Sequence, residues 1–477
     1  MSEATAREPK GAAPPGLPRE PKGAAPPGLR SDEGATREGG ASRAPGGERE
    51  DTAPGGEREN RVPRLQPTIR TPEGIAFLNG LAGTRVRQNG CAAAAYAALY
   101  ANVDVITAYP IRPYTAIMMN LAQFIADGIL DAEYIHADGE HSQFSAAFGA
   151  GSCGARAYTG SSGVGVTYGY EMYSIISGAR IPIQMAIADR TLDPPGDFGS
   201  EHTDALCTRD MGWLLGWAAT PQEVFDKSLI AYAIGEDPRV LLPQMVVQDG
   251  YFVSHIAGEV EMPSIEQVDA YLPPYQLPFP LDPRRPVSHG PQIHPEQGPP
   301  LQLERARAME DAIPVIREKT DEFARVFGRS YPHFVESYLL DDAEIAIVIS
   351  GGHAVTCRAA VDRLRAQGIR IGMARLLWIR PFPGEDLREA LRGVKAVGVV
   401  ETNLGLGGAS YGGILSADVT TALYHLTGER PLVTSFMAGL GGETVPMAEF
   451  DWMAGKLGQA VARGRVEKAA HWVGFED

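Results

Sequence analysis

The feature that most constrains the fold of this chain is a regular alternation of short apolar runs and helical segments between about residues 90 and 255. The strand-like apolar runs cover residues 103–108, 132–136, 156–159, 181–188 and 240–247. Between them, apolar residues recur at helical spacing over residues 91–100, 115–125, 140–153, 168–177 and 222–232. Strands that alternate with helices of this length predict a parallel sheet covered by helices on both faces.

A second unit of the same kind begins near residue 341. Strand-like runs cover residues 345–350, 369–374, 396–401 and 432–436, and a helix is predicted from Gly351 to about residue 364. Residues 259–300 are rich in proline and predict an extended linker, which is followed by a helix over residues 301–327. We therefore predict an α/β fold class with two parallel-sheet domains, at residues 85–258 and 341–477, joined by a connector and helix at 259–340.

The first 75 residues have a different character. The segment Glu8 to Leu17 recurs at Glu20 to Leu29, and Ala44 to Glu50 recurs at Ala53 to Glu59. These repeats contain almost no large apolar residues, so their burial could not offset the entropy lost on ordering. We predict a disordered repetitive tail over residues 1–75.

Composition limits the partners and the cellular compartment. The formal net charge of −16 argues against nucleic acid or an anionic membrane surface as the main partner, and no apolar run approaches the length of a membrane span. The four cysteines are far apart and include no CxxC pair, which excludes a disulfide framework and argues against an iron–sulfur cluster held by this chain alone. We expect a reducing, cytoplasmic environment.

The segment Tyr109-Pro110-Ile111-Arg112-Pro113 follows the first predicted strand of the sheet. Proline fixes its own φ and biases the preceding residue towards extended geometry, so Arg112 is held in a restricted turn. Ligands bind at the carboxyl ends of strands in open α/β sheets, and a guanidinium there can clamp a carboxylate or a phosphate. The alternative is an arginine in an ordinary surface turn.

Three other segments end at the same predicted edge of the sheet. They are Glu140 in Asp138-Gly-Glu-His-Ser142, the loop Gly160-Ser-Ser-Gly-Val-Gly165, and Arg190 with Asp193 in the run 189–196. Two arginines and two carboxylates in one crevice would suit a small anionic substrate. His136, His141 and His202 lack close sequence partners for a metal site and are interpreted as structural hydrogen-bonding residues.

The order and spacing of these motifs resemble the alpha subunit of the 2-oxoacid:ferredoxin oxidoreductases, a family of thiamine-diphosphate enzymes. The resemblance rests on Tyr-Pro-Ile-x-Pro at 109–113, Gly-Glu-His-Ser at 139–142, Thr-Gly-Ser-Ser-Gly at 159–163, Leu-Leu-Pro at 241–243, and Asp249-Gly250 followed by Ser254-His255. It implies that the first domain binds the pyrimidine ring of the cofactor. It also implies that the second domain is similar to the carboxyl-terminal domain of transketolases.

The resemblance assigns roles to particular residues. Glu140 matches the glutamate that hydrogen-bonds the pyrimidine ring and so helps to activate the cofactor. The remaining residues expected to contact the cofactor are Tyr109, Pro110, Ser161, Ser162 and Gly163.

The resemblance also implies partner subunits. The chain has no Gly-Asp-Gly motif followed by asparagine, the usual magnesium–diphosphate signature of thiamine enzymes. In the family, the Mg²⁺ and the diphosphate sit on a beta subunit, and [4Fe-4S] clusters on a gamma/delta-type subunit pass electrons to ferredoxin. The chain alone is expected to be inactive.

Arg112 departs from the family pattern and bears on the substrate. The pyruvate enzymes typically have threonine here, while Arg190 matches the substrate-binding arginine of the family. Two guanidinium groups suit a dicarboxylate, and the smallest one compatible with thiamine chemistry is oxalate. The segments around Arg112, Asp193 and His202 resemble the alpha subunit of oxalate oxidoreductase.

Asp193 is expected to pair with Arg190 and to swing inward after decarboxylation, disfavouring the remaining carboxylate by like-charge repulsion. A plain Asp-Pro turn is the alternative for this residue. For the whole chain, the alternatives are an alpha subunit that uses pyruvate or another 2-oxoacid, and a non-catalytic scaffold subunit.

Overall fold

The computed structural model describes residues 69–193, 196–409 and 412–475. The repetitive tail predicted for residues 1–75 lies outside the described residues up to residue 68, and a helix begins within its last few residues, at Pro72. Thr71 caps this helix because its hydroxyl accepts a hydrogen bond from the Gly74 amide at 2.9 Å.

The first half of the described chain alternates between strands and helices. Its strands are β1 (Arg85–Gln88), β2 (Val105–Ala108), β3 (Glu133–His136), β4 (Ala157–Ser161), β5 (Ile183–Ala188), β6 (Leu214–Ala218), β7 (Gln244–Gln248) and β8 (Gly258–Glu261). Its helices are α1 (Pro72–Leu81), α2 (Gly90–Tyr100), α3 (Thr115–Ala126), α4 (Glu140–Ser152), α5 (Val164–Tyr168), α6 (Tyr170–Gly178), α7 (Thr203–Leu206), α8 (Pro221–Gly235) and α9 (Ile265–Tyr271).

The long helix α10 (Gly298–Phe327) leads into the second half. The strands there are β9 (Val335–Tyr338), β10 (Ile345–Ile349), β11 (Ile371–Leu376), β12 (Trp378–Arg380), β13 (Ala396–Glu401), β14 (Leu432–Met437) and β15 (Ala470–Trp472). The helices are α11 (His353–Ala366), α12 (Gly384–Ala390), α13 (Leu415–Tyr424) and α14 (Met447–Arg463).

Two mainly parallel sheets organise these elements, as the sequence predicts. The first has the strand order β12-β6-β7-β5-β4-β2-β3, and the second has the order β15-β14-β13-β10-β11-β9. Only the edge strands β12 and β9 run antiparallel to their neighbours within these two sheets of the described chain. Because β12 follows β11 in sequence but pairs with β6, the second half of the chain completes the edge of the first sheet.

The structure corrects the proline-rich connector predicted for residues 259–300. Its first part contains β8 and α9, which starts with a capping box between Ser264 and Gln267. Ile265, Val268 and Tyr271 are buried on this helix, so local capping and burial prevail over the proline content of the region. Strand β6 was not predicted either, although its five residues are all buried.

Lys227 on α8 is a buried cation at the junction of the two halves. Its Nζ donates to the Leu377 carbonyl at 3.3 Å and lies 4.8 Å from the centre of the Trp378 ring. Burial lowers the pKa of this amine from 10.5 to about 7, against the opposing effect of Glu223.

We expect the free energy of unfolding to rise with pH between about 7 and 10.5, because there the unfolded lysine holds a proton that the folded one has lost. The substitution Lys227→Met should flatten this rise and stabilise the protein near neutral pH. Urea unfolding at several pH values would measure the pH dependence of the free energy of unfolding. Lys395→Met is the control, because Lys395 is exposed. Equal pH slopes in wild type and Lys227→Met would contradict the prediction.

Candidate active site

The carboxyl ends of β2, β4 and β5 bring three of the predicted segments into one crevice. The Tyr114 amide, next to Pro113, donates to the Ser162 Oγ at 3.2 Å. The Arg190 Nη1 donates to the Arg112 carbonyl at 3.3 Å. A Cβ built on Gly163 would lie 2.5 Å from the Arg190 Nε, so the loop after β4 fits against this arginine only with glycine there. Gly163 also has a φ of +53°, which favours glycine.

Glu140 is the first residue of α4 and points into the same crevice, where it is only 4% exposed. A Cβ on Gly165 would overlap both the Glu140 Oε1 and the Ser161 Oγ, so these two polar groups face the same glycine. Burial raises the pKa of Glu140, while a backbone hydrogen bond and the charge of Arg190 partly oppose that rise.

This pair of groups fits the pyrimidine ring of thiamine diphosphate. The Ser161 Oγ is buried and has no hydrogen-bond partner among the described residues. A buried hydroxyl without a partner destabilises the folded state unless a ligand forms the missing hydrogen bond. Glu140 forms no ion pair within the described residues, so its carboxylate is available to a ring nitrogen.

The contact at Gly165 predicts a specific steric effect. The substitution Gly165→Ala should displace Glu140 and Ser161. We expect cofactor affinity and turnover to fall by about 10-fold or more, because even a small displacement of a group that contacts the cofactor lowers the reaction rate. Cofactor titration and turnover of the assembled complex would measure both effects. Gly149→Ala on α4 is the matched control, since its Cβ would meet no atom within 4 Å. Unchanged cofactor affinity in Gly165→Ala would contradict the prediction.

The two arginines occupy unlike environments. Arg190 is 8% exposed, and its Nη2 lies 3.6 Å from the Asp193 Oδ2. Its guanidinium also stands 5.3 Å from the centre of the Phe198 ring. Arg112 is exposed, and its guanidinium forms no ion pair with any described residue. The contact between them runs through the main-chain carbonyl of Arg112, so the Arg112 side chain stays exposed while that of Arg190 is buried.

The other expected cofactor contacts lie at the same edge. Tyr109 is partly buried and Pro110 is exposed just after β2, while Ser162 is buried after β4. The two prolines between Asp193 and Gly196 lie outside the described residues, so the form of that turn is not described.

Sequence reasoning missed Asp204 at the start of α7. Its Oδ2 accepts hydrogen bonds from the Gly163 amide at 2.7 Å and the Arg190 amide at 3.1 Å. The fully buried carboxylate therefore ties the loop after β4 to the loop after β5, and burial raises its pKa. Nothing in local spacing signals this role, because both partners are distant in sequence.

The expectation that His202 lacks close partners is wrong. Its Nε2 lies 3.3 Å from the Asp249 Oδ1 and 3.8 Å from the Asp189 Oδ2. These aspartates follow β7 and β5, and only the sheet order brings them together. His141 does make a side-chain hydrogen bond, to Glu171 at 3.0 Å, and His136 is exposed.

Comparisons with known proteins agree with this geometry. Residues 96–321 match the family described as pyruvate flavodoxin/ferredoxin oxidoreductase, thiamine-diphosphate-binding, and residues 343–450 match pyruvate:ferredoxin oxidoreductase core domain II. Pyruvate synthase subunit PorA of Pyrococcus abyssi is 38% identical over 384 residues, which are 80% of this chain and 96% of that protein. Ketoisovalerate oxidoreductase subunit VorA of Pyrococcus horikoshii is 36% identical over 385 residues, with the same coverage.

Among solved structures, the fold is similar to that of a 2-oxoglutarate:ferredoxin oxidoreductase from Magnetococcus marinus. The TM-score is 0.60 at 15% identity, and the match covers 79% of this chain and 65% of the other. The family models and the relatives thus define a thiamine-diphosphate-binding oxidoreductase subunit. The chain belongs to the 2-oxoacid:ferredoxin oxidoreductase alpha-subunit family. None of its described helices has the length and apolar character required to cross a membrane.

Proposed function

We propose that this chain is the catalytic alpha subunit of an enzyme that oxidatively decarboxylates a 2-oxoacid with thiamine diphosphate and passes the electrons to ferredoxin. The observation that carries the proposal is the buried Glu140 carboxylate beside the unpartnered Ser161 hydroxyl, in the crevice that also contains Arg190. A scaffold subunit would have no need to bury an acidic group without an ion pair, because such burial costs stability.

In this proposal, some residues of the chain contact the cofactor and others contact the substrate. When bound, thiamine diphosphate supplies the nucleophilic carbon needed for decarboxylation. Glu140 would hold the pyrimidine ring and share a proton with its ring nitrogen. Arg190, held by Asp204 through its backbone amide, would orient the substrate carboxylate and stabilise charge that develops during the reaction.

The charges of the crevice favour a monocarboxylic 2-oxoacid such as pyruvate. Asp193 places a negative charge 3.6 Å from the Arg190 guanidinium, and Arg112 forms no ion pair with any described residue. With Glu140 assigned to the cofactor ring, the three side chains left for the substrate carry a net charge of about +1, which one carboxylate balances. The printed names of the relatives, pyruvate synthase and ketoisovalerate oxidoreductase, support the same substrate class.

Oxalate is the second candidate, and one observation favours it. Asp193 is 41% exposed at its side chain and makes only a 3.6 Å contact with Arg190, so its movement would cost little. With Asp193 turned away, Arg112 and Arg190 would present about two positive charges to a dianion. The proposed inward swing of Asp193 after decarboxylation belongs to this candidate.

We propose further that the diphosphate and its Mg²⁺ are bound by a beta subunit and that [4Fe-4S] clusters lie on a gamma/delta-type subunit. For the clusters, the support from this chain is its cysteine chemistry: Cys91 and Cys357 are buried, and all four cysteines are free. Burial raises the pKa of Cys91 to about 12, which disfavours the thiolate that a cluster requires.

The test is reduction of ferredoxin by the co-expressed complex with pyruvate, 2-oxoisovalerate, 2-oxoglutarate and oxalate as separate substrates. We expect the highest kcat/KM with a monocarboxylic 2-oxoacid. A preference for oxalate would establish the second candidate instead. Absence of reduction with every substrate, in a complex that carries clusters and cofactor, would overturn the proposal.

A further inference from the structure

A buried trio, Asp189, His202 and Asp249, lies where the first sheet meets the second half of the chain. The three side chains are 0%, 2% and 0% exposed. The Gly352 amide, just before α11, donates to the Asp249 Oδ2 at 2.8 Å, and the His202 amide donates to the carbonyl of Thr402 after β13. The trio therefore sits at the contact between the carboxyl ends of both sheets.

Each carboxylate has one oxygen held by the protein and one directed at the imidazole. The Asp189 Oδ1 accepts from the Ser200 hydroxyl at 2.6 Å and the Gly250 amide at 3.0 Å. The other oxygens, Asp189 Oδ2 and Asp249 Oδ1, lie 3.8 Å and 3.3 Å from the His202 Nε2. Carboxylates that ligate metals are typically oriented in this way, with the outer oxygen fixed by a hydrogen bond.

The inner oxygen of Asp189 supplies independent evidence for a ligand. It is buried and has no hydrogen-bond partner among the described residues. A buried acceptor without a partner costs stability, and a carboxylate costs more than a neutral group.

We propose that Asp189, His202 and Asp249 bind one divalent transition-metal cation, with zinc as the first expectation. The three ligand atoms lie within 4.8 Å of one another, and ligands of a tetrahedral zinc ion are about 3.4 Å apart, so small side-chain shifts suffice. Full burial makes this a closed structural site that ties the two halves of the chain together.

The test is metal content of the purified, co-expressed complex, measured by mass spectrometry after growth with zinc, manganese or cobalt. We expect about one equivalent of a divalent metal other than iron and magnesium per alpha subunit. Asp189→Asn should lose it, because the amide preserves the size of the side chain and an acceptor for Ser200 while removing the anionic ligand. Asp237→Asn is the matched control and should retain the metal, because Asp237 is a largely buried carboxylate that pairs with Arg239 instead.

Two outcomes would overturn the inference: wild type without such a metal in any growth condition, or equal metal content in wild type and Asp189→Asn. Should Asp189→Asn fail to assemble, dialysis of the wild-type complex against a chelator provides the second measurement. We then expect a lower melting temperature that added zinc restores, and no change would count against the site. Ferredoxin reduction in the same preparations separates failure of this inference from failure of the proposed function.

Discussion

Replacing Glu140 with glutamine is expected to lower turnover of the assembled complex by about 100- to 10,000-fold, the range typical of a lost proton-transfer group. Glutamine preserves the shape of the side chain but carries no negative charge and cannot share a proton with a ring nitrogen. The buried position of Glu140 limits the ability of water to substitute for it, since the residue is only 4% exposed. Steady-state ferredoxin reduction with a saturating 2-oxoacid measures the effect.

Retention of thiamine diphosphate by Glu140→Gln separates catalysis from binding. We expect cofactor affinity to fall much less than turnover, because the glutamine can still contact the ring. Glu171→Gln is the matched control, since Glu171 is exposed and pairs only with His141 among the described residues. Undiminished turnover in Glu140→Gln would support the scaffold alternative.

Replacing Arg112 with threonine is expected to lower the ratio of kcat/KM for oxalate to kcat/KM for pyruvate by about 10- to 100-fold. A hydrogen-bonded pair with a charged group is worth about 1.5–3 kcal/mol, which corresponds to this range. Arg190 remains to bind the single carboxylate of pyruvate, whereas the second carboxylate of oxalate loses its partner. Initial rates with each substrate across a range of concentrations give the two constants.

Arg85→Thr is the control for this experiment, because Arg85 is exposed on β1, a strand of a separate small sheet. Its substrate ratio should equal that of wild type. If Arg112→Thr left the ratio unchanged, Arg112 would be an arginine in a surface turn, the alternative that its exposure in the structure permits.

Local sequence patterns predicted the elements that form the core of each sheet. The run 396–401 became β13 without change of bounds, because five consecutive small or β-branched apolar residues and a terminal glutamate favour a buried strand. Strands β1, β8, β9 and β15 were not predicted. Each of these strands has only three or four residues, and most of their side chains are exposed or half-exposed. They therefore lack a distinct apolar run.

The candidate site was also predicted from the sequence only in part. The sequence placed Arg112, Glu140, Ser161, Gly163 and Arg190 at predicted strand ends, and a parallel sheet brings such ends to one edge. It did not indicate that Asp204 joins two of the loops, since that role depends on backbone amides of residues far away in the chain. Hydrogen bonds of this kind have no local sequence signal.

The sequence alone determined the fold class, the family and the edge of the sheet at which we propose the active site, because hydrophobic periodicity and local motifs act over short distances. The tertiary structure decided which side chains meet. It placed the Arg112 carbonyl and the Asp193 carboxylate beside Arg190, and it gathered Asp189, His202 and Asp249 around one point. The physical reason is that strand order, which sequence periodicity does not encode, fixes the long-range contacts that balance buried charge.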